Sequence, residues 1–308
     1  MITRFAPSPT GPLHLGHAYS AILAHDMAKA AGGAFLLRIE DIDRARARPE
    51  WEALIYEDLR WLGLSWEEPV MRQSDRMAAY GAALDRLWGM GLLYACDCTR
   101  RDIAQALSAP QEGAEPAVGP DGPVYPGTCR PAPNDHVTRT RPPDRALRLD
   151  MARALQSDHA APPFGFTETG AGPEGQTGLV AFNARDLIEN VGDVVLARRD
   201  MGSSYHLSVV VDDAVQGITH VTRGRDLFEA TRIHVLLQRL LDLPTPVYHH
   251  HRLIRDEAGK RLAKRDDARA IRDGGGNGSI IGRNSFQRDR DDALAMLGKL
   301  VEIYRGKD

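Results

Sequence analysis

From the N-terminus the apolar positions fall into short blocks whose spacing switches between extended and helical. Met1 to Phe5 is a short strand candidate, broken by Pro7, Pro9, Gly11 and Pro12. Apolar and small residues from Ala18 to Ala31 then keep helical spacing and stop at Gly32 and Gly33. Ala34 to Ile39 is a compact apolar strand, and Trp51 to Leu62 is helical again. This alternation predicts a parallel sheet with crossover helices. Asp75 to Gly91 adds another amphipathic helix.

Past Tyr94 the pattern loosens. Ser108 to Pro143 is rich in Pro, Gly and Ala and reads as an insertion with little regular structure. Thr169 to Gly178 is a second glycine-rich loop. A strand is expected near Asp193 to Arg199, and Tyr205 to Val211 fits either a helix or a buried strand. Gly217 to Arg223 reads as a strand, Asp226 to Leu241 as a helix, and His249 to Arg255 as a return to the sheet edge. A polar loop with Gly274 to Gly278 follows, then a last helix from Asp291 to Tyr304.

Charge adds little: 39 Lys plus Arg face 42 Asp plus Glu, a net of -3. Arginine clusters such as Arg44, Arg46 and Arg48 suit phosphates, or a solvated surface, so the balance neither demands nor excludes RNA. Three cysteines argue against a disulfide framework. No apolar run approaches the roughly 20 residues of a membrane span. No signal-peptide pattern precedes the first motif, so the expectation is a cytoplasmic protein without a membrane partner.

Candidate chemistry begins between the first strand and the first helix, where a doubly wound sheet binds nucleotides. His14 and His17, separated by Leu15 and Gly16, can aim two imidazoles at one phosphate region, and Gly16 lets backbone approach a ligand. The block Arg4 to His17 resembles the HIGH signature of class I aminoacyl-tRNA synthetases, and Arg4-Phe5-Ala6-Pro7-Ser8 is similar to the glutamyl subgroup. The resemblance implies a Rossmann-type doubly wound α/β catalytic domain. It also implies that His14, Gly16 and His17 bind ATP, with the histidines stabilising the pentacovalent phosphorus.

Glu40, Asp41 and Asp43 follow the second strand as an acidic cluster open to three readings: metal site, helix cap or ammonium receptor. The resemblance assigns Glu40 to the α-ammonium of glutamate, and Arg4 and Ser8, within the Arg4–Ser8 segment, to its carboxylates. A buried guanidinium is a sensible carboxylate receptor and would reject glutamine. Further on, Arg198 to Asp213 resembles the second half of the same fold, which makes Tyr205 and Arg223 additional glutamate contacts. Gly259 to Arg265 stands where the family has its KMSKS loop. It keeps Lys264 as a phosphate ligand but carries Arg261, Ala263 and Arg265 instead of the usual residues.

Cys96, Cys98 and Cys129 offer three thiolates, which suit zinc, and structural zinc takes four ligands. By chemistry alone the fourth is open between Tyr125 and His136. The short glutamyl-type enzymes carry Cys-x-Cys followed by Tyr-x-x-x-Cys. This pattern implies Cys96, Cys98, Tyr125 and Cys129 as ligands of one structural Zn²⁺.

The cysteine pattern, and a chain ending 44 residues after Lys264, resemble the glutamyl-queuosine tRNA(Asp) synthetases. Their implied partners are L-glutamate, ATP with Mg²⁺, and tRNA(Asp) bearing queuosine, and a monomer is expected. The expected organisation is residues 1–94 and 191–255 as halves of the catalytic domain, 95–190 as a zinc-containing insertion, and 256–308 as the KMSKS-like loop with a short helical remnant. No anticodon-binding domain is expected. Two rivals stay open: a truncated glutamyl-tRNA synthetase charging a tRNA 3′ end, and an inactive zinc-stabilised RNA-binding module.

Overall fold

The expected crossover pattern is present as β1 (Ile2–Phe5), α1 (Leu15–Ala30), β2 (Ala34–Ile39), α2 (Pro49–Trp61) and β3 (Glu67–Arg72). It is seen in a computed structural model that describes residues 1–108, 117–132 and 140–253. The chain divides into two units, Met1–Arg72 with the chain from His251, and Gln73–His250.

In the first unit β1 and β2 pair in parallel, Ile2 against Ala34 to Phe5 against Leu37, and β3 joins β2 in parallel as the outer strand. Four alanines, Ala18, Ala21, Ala24 and Ala28, form the buried face of α1 and let it lie close to β1. Thr3 Oγ1 donates to the Ala24 carbonyl at 2.7 Å. Leu13, Phe35, Leu37, Ile39, Ile55 and Leu59 fill the core. The apolar pattern did not predict β3, because Glu67-Glu68-Pro69 leaves it mostly exposed, as edge strands tolerate.

One core residue opposes the fold. Asp58 on α2 is buried, and burial, with the Glu57 charge beside it, pushes its carboxyl up to about 7. The folded state therefore holds this proton more tightly than the unfolded chain does. Stability falls as pH rises from the unfolded carboxylate range through about 7, and the penalty is full above that. Asp58→Asn is expected to stabilise the protein by about 2–4 kcal/mol at pH 8 and by much less at pH 4, measured by denaturant unfolding.

The second unit runs α3 (Met77–Gly89), β4 (Leu93–Cys96), α4 (Arg100–Ser108), β5 (Val118–Gly119), β6 (Gly122–Pro123), β7 (Ala146–Leu149), α5 (Met151–Gln156), β8 (Phe164–Glu168) and β9 (Gly178–Phe182). It continues with α6 (Ala184–Asn190), β10 (Val195–Ala197), α7 (Tyr205–Val215), β11 (His220–Gly224), α8 (Thr231–Leu240) and β12 (Val247–His251). One sheet has the order β10-β7-β4 and pairs antiparallel throughout. Another has the order β11-β12-β8-β9, with β12 parallel to β8 and β8 antiparallel to β9. A purely parallel sheet is thus too simple a picture for this unit.

Tyr205 to Val211, ambiguous by pattern, is helical. Ser204 caps α7 by accepting from the Leu207 N–H, and His206 to Asp213 are buried without a break, which erases any amphipathic period. Asp212 anchors α7 inside the unit, accepting from Gln73 Nε2 at 3.0 Å and Tyr80 Oη at 2.7 Å. The predicted insertion does contain a small hairpin, β5–β6. Arg261, Lys264 and the expected helix from Asp291 to Tyr304 lie outside the described residues. Among the described residues, no helix is long and apolar enough to cross a membrane.

Candidate active site and metal-binding cluster

The loop between β1 and α1 is pinned by two backbone bonds, from Glu40 N–H to the Pro7 carbonyl and from Arg48 N–H to the Pro9 carbonyl, both 3.0 Å. Arg4 is buried on β1, Phe5 closes that strand against the core, and Ser8 is exposed on the loop. Helix α1 starts with an imidazole capping box. His14 Nδ1 accepts from the Gly16 N–H at 3.1 Å, and His17 Nδ1 accepts from the His14 N–H at 3.3 Å. The two rings stack at 3.7 Å and 19°.

This geometry fixes the tautomers. An Nδ1 that accepts leaves the proton of a neutral ring on Nε2, so both histidines are Nε2–H donors at the positive end of α1. Such donors suit phosphate oxygens. Gly16 has a reason the sequence did not reveal: a Cβ there would lie 3.0 Å from His14 Cε1, so its absence makes room for the capping ring. Glu40 follows β2, with Oε1 3.2 Å from Nη2 of the fully buried Arg38.

In the second unit Tyr205 opens α7 and Arg223 lies on β11. Arg223 is buried and makes four hydrogen bonds among the described residues. Nε donates to His250 Nε2 at 3.0 Å and Nη1 to His234 Nδ1 at 3.1 Å. Nη2 donates to Thr231 Oγ1 at 2.7 Å and to the Leu227 carbonyl at 3.2 Å. A guanidinium has five N–H groups, so one on Nη1 is left for a ligand. The Tyr205 ring packs edge-on against His206 and His234, at 5.5 and 5.7 Å.

Glu168, at the end of β8, accepts from His250 Nδ1 at 2.5 Å and from the backbone N–H groups of His250 and Gly170. Burial would raise its carboxyl, but these donors hold it below the usual range. A Cβ at Gly170 would meet the His250 carbonyl at 2.3 Å, so only glycine allows this close approach.

The three cysteines converge from β4, the residues just after it and the loop after β6. Their sulfurs all lie within 4.8 Å of one another. Tyr125 Oη is 3.5 Å from Cys96 Sγ and 3.3 Å from Cys98 Sγ, and accepts from the Cys129 N–H at 2.8 Å. Four ligand atoms held by a tetrahedral zinc with bonds of about 2.3 Å stand roughly 3.7 Å apart, so three thiols and this phenol fit such an ion. Burial opposes ionisation of Cys129, but hydrogen bonds led by Tyr125 bring its thiol down to about 7, while burial pushes Cys98 up to about 11. Arg148 on β7 lies 3.8 Å over the Tyr125 ring and donates to Cys96 Sγ at 3.3 Å. A cation there favours thiolate ligands. His136, the other fourth-ligand candidate, is outside the described residues.

Sequence reading thus located the histidine loop and the cysteine cluster. It missed Arg148, Asp121, Glu168, His206, His234 and His250, which bond the candidate residues or one another across separations that no spacing links, and also Arg38, which stands only two residues before Glu40.

Residues 1–152 and 174–276 match the family of tRNA synthetases class I (E and Q), catalytic domain. The chain is 66% identical over 275 residues to Glutamyl-Q tRNA(Asp) synthetase of Rhodobacter capsulatus, covering 88% of this chain and 93% of that one. It is 41% identical to the protein of the same name from Geobacter sulfurreducens, over 88% of this chain and 77% of that one. The structure of a glutamate-tRNA synthetase from Elizabethkingia anophelis superposes with a TM-score of 0.65 at 26% identity, over 87% of this chain and 53% of that one. The histidine capping box, the cysteine cluster and these similarities lead to one assignment. The chain belongs to the class I tRNA synthetases of the glutamyl and glutaminyl type and, among them, to the glutamyl-Q tRNA(Asp) synthetase family.

Proposed function

We propose that the chain activates L-glutamate with ATP and transfers it to the queuosine base in the anticodon of tRNA(Asp), acting as a monomer in the cytoplasm. The observation that carries this reading is the pair of stacked Nε2–H imidazoles at the α1 N-terminus, in a chain 66% identical to a glutamyl-Q tRNA(Asp) synthetase. An oxygen of the glutamate α-carboxylate attacks the α-phosphorus of ATP and the bond to pyrophosphate breaks, giving glutamyl-adenylate. His14 and His17 donate to the phosphate oxygens as charge builds there, and Lys264 serves the same phosphates. Arg4, Ser8 and Glu40 in the first unit, and Tyr205 and Arg223 in the second, are assigned to glutamate. A hydroxyl of the queuosine cyclopentenediol then attacks the acyl carbon, loses its proton, and AMP departs.

Two ions belong to this reading. Mg²⁺ bound with ATP would offset phosphate charge. Cys96, Cys98, Tyr125 and Cys129 are the residues that would hold a structural zinc, which ties the insertion to β4 when bound.

Glutamate-dependent ATP–pyrophosphate exchange without tRNA tests the first step. Exchange with glutamate and not glutamine is expected, and His14→Ala is expected to lower its kcat by about 10²-fold while KM for glutamate changes little. A wild-type protein inactive in exchange would overturn the proposal.

A further inference from the structure

Arg223 sits at the centre of a chain of side chains in which the guanidinium, a pure donor, sets the imidazole tautomers. A guanidinium only donates, so His234 Nδ1, 3.1 Å from Nη1, must accept. The proton of His234 is then on Nε2 and is donated to His206 Nδ1 at 3.0 Å. His206 in turn carries its proton on Nε2, which faces both carboxylate oxygens of Asp121 at 2.9 and 3.0 Å. On the other side His250 Nε2 accepts from Arg223 Nε, so His250 Nδ1 bears the proton given to Glu168. Two neutral imidazole arms flank one cation, and each arm ends in a carboxylate.

The two ends differ. Glu168 is wholly buried, whereas the Asp121 side chain is 53% exposed and lies in the turn between β5 and β6, within the insertion. At that turn the carboxylate faces the His206 ring, with the Arg148 charge nearby. What requires the carboxylate is the tautomer: without an acceptor at Nε2, His206 can carry its proton on Nδ1, facing the Nε2–H of His234. Relief of that clash moves the His234 proton to Nδ1, where it faces the guanidinium N–H. The fault thus reaches Arg223 through two rings.

Resting on the reading of Arg223 as a glutamate contact, we infer that Asp121, His206 and His234 are positioning residues that lock Arg223 so that a single Nη1 N–H is presented to the substrate carboxylate. The insertion hairpin therefore contributes to amino acid recognition although no residue of it need touch glutamate. Tyr205, packed edge-on against both histidines, is held by the same pair.

The test combines exchange kinetics with long-range ¹⁵N–¹H correlation of the imidazoles in the full-length protein. Asp121→Ala is expected to raise KM for glutamate by about tenfold, the scale of one charge-assisted hydrogen bond, with kcat and KM for ATP within about twofold of wild type. Asp121→Asn, whose amide oxygen still accepts from His206, is expected to recover most of that loss. In the wild type His206 and His234 should show the Nε2–H tautomer and His250 the Nδ1–H tautomer. In Asp121→Ala, mixed tautomers should appear at His206 and His234 with thermal stability unchanged. An unaltered KM for glutamate in Asp121→Ala, an equal rise in KM for ATP, or a wild-type His234 protonated at Nδ1 would each overturn the inference. A wild type without exchange activity would instead contradict the proposed function, and the tautomer spectra would still decide the positioning chain.

Discussion

Arg223→Ala is expected to lower kcat/KM for glutamate in pyrophosphate exchange by about 10²–10³-fold, corresponding to roughly 3–4 kcal/mol. The loss has two parts. On the proposed assignment of Arg223 to glutamate, the substrate carboxylate gives up a charge-assisted hydrogen bond, and His234 Nδ1 and His250 Nε2 lose their guanidinium donor. Arg223→Lys keeps the charge but offers three donors to sites that use four, so it should recover only part of the activity. Thermal unfolding of both variants separates recognition from folding. A folded Arg223→Ala protein with unchanged kcat/KM for glutamate would remove Arg223 from the substrate site.

The second large effect concerns stability. Cys98→Ser is expected to cost on the order of 3–5 kcal/mol and to abolish stoichiometric zinc, measured by denaturant unfolding and metal analysis of the purified protein. Cys98 is the hub of the cluster, 3.3 Å from both Cys129 Sγ and Tyr125 Oη, so its loss separates the halves of the insertion. Tyr125→Phe is milder: it keeps the ring under Arg148 and removes only the oxygen. Unchanged stability and metal content in Cys98→Ser would exclude a structural ion at these residues.

The histidine loop was legible because its chemistry is local. His14, Gly16 and His17 cap their own helix, and four consecutive positions contain the whole device. The cysteines were legible because three scarce residues recur within 33 positions. The support of Arg223 was not, since Asp121, Glu168, His206, His234 and His250 meet only when five elements and a turn have packed. A buried histidine bonded to a histidine leaves no periodicity. Helix α7 escaped for a related reason: its run Val209-Val210-Val211 favours a strand by β-branching, and complete burial removes the polar face that marks a helix. Strand β3 has only Val70 and Met71 as apolar residues of any size, because an edge strand needs few.

The most direct measurement is attachment of labelled glutamate to purified tRNA(Asp) with and without queuosine, alongside tRNA(Glu), each with ATP and Mg²⁺. Label is expected on queuosine-bearing tRNA(Asp) alone, recovered in the anticodon fragment after nuclease digestion. Label on the 3′ end of tRNA(Glu), or equal labelling of tRNA(Asp) lacking queuosine, would contradict it.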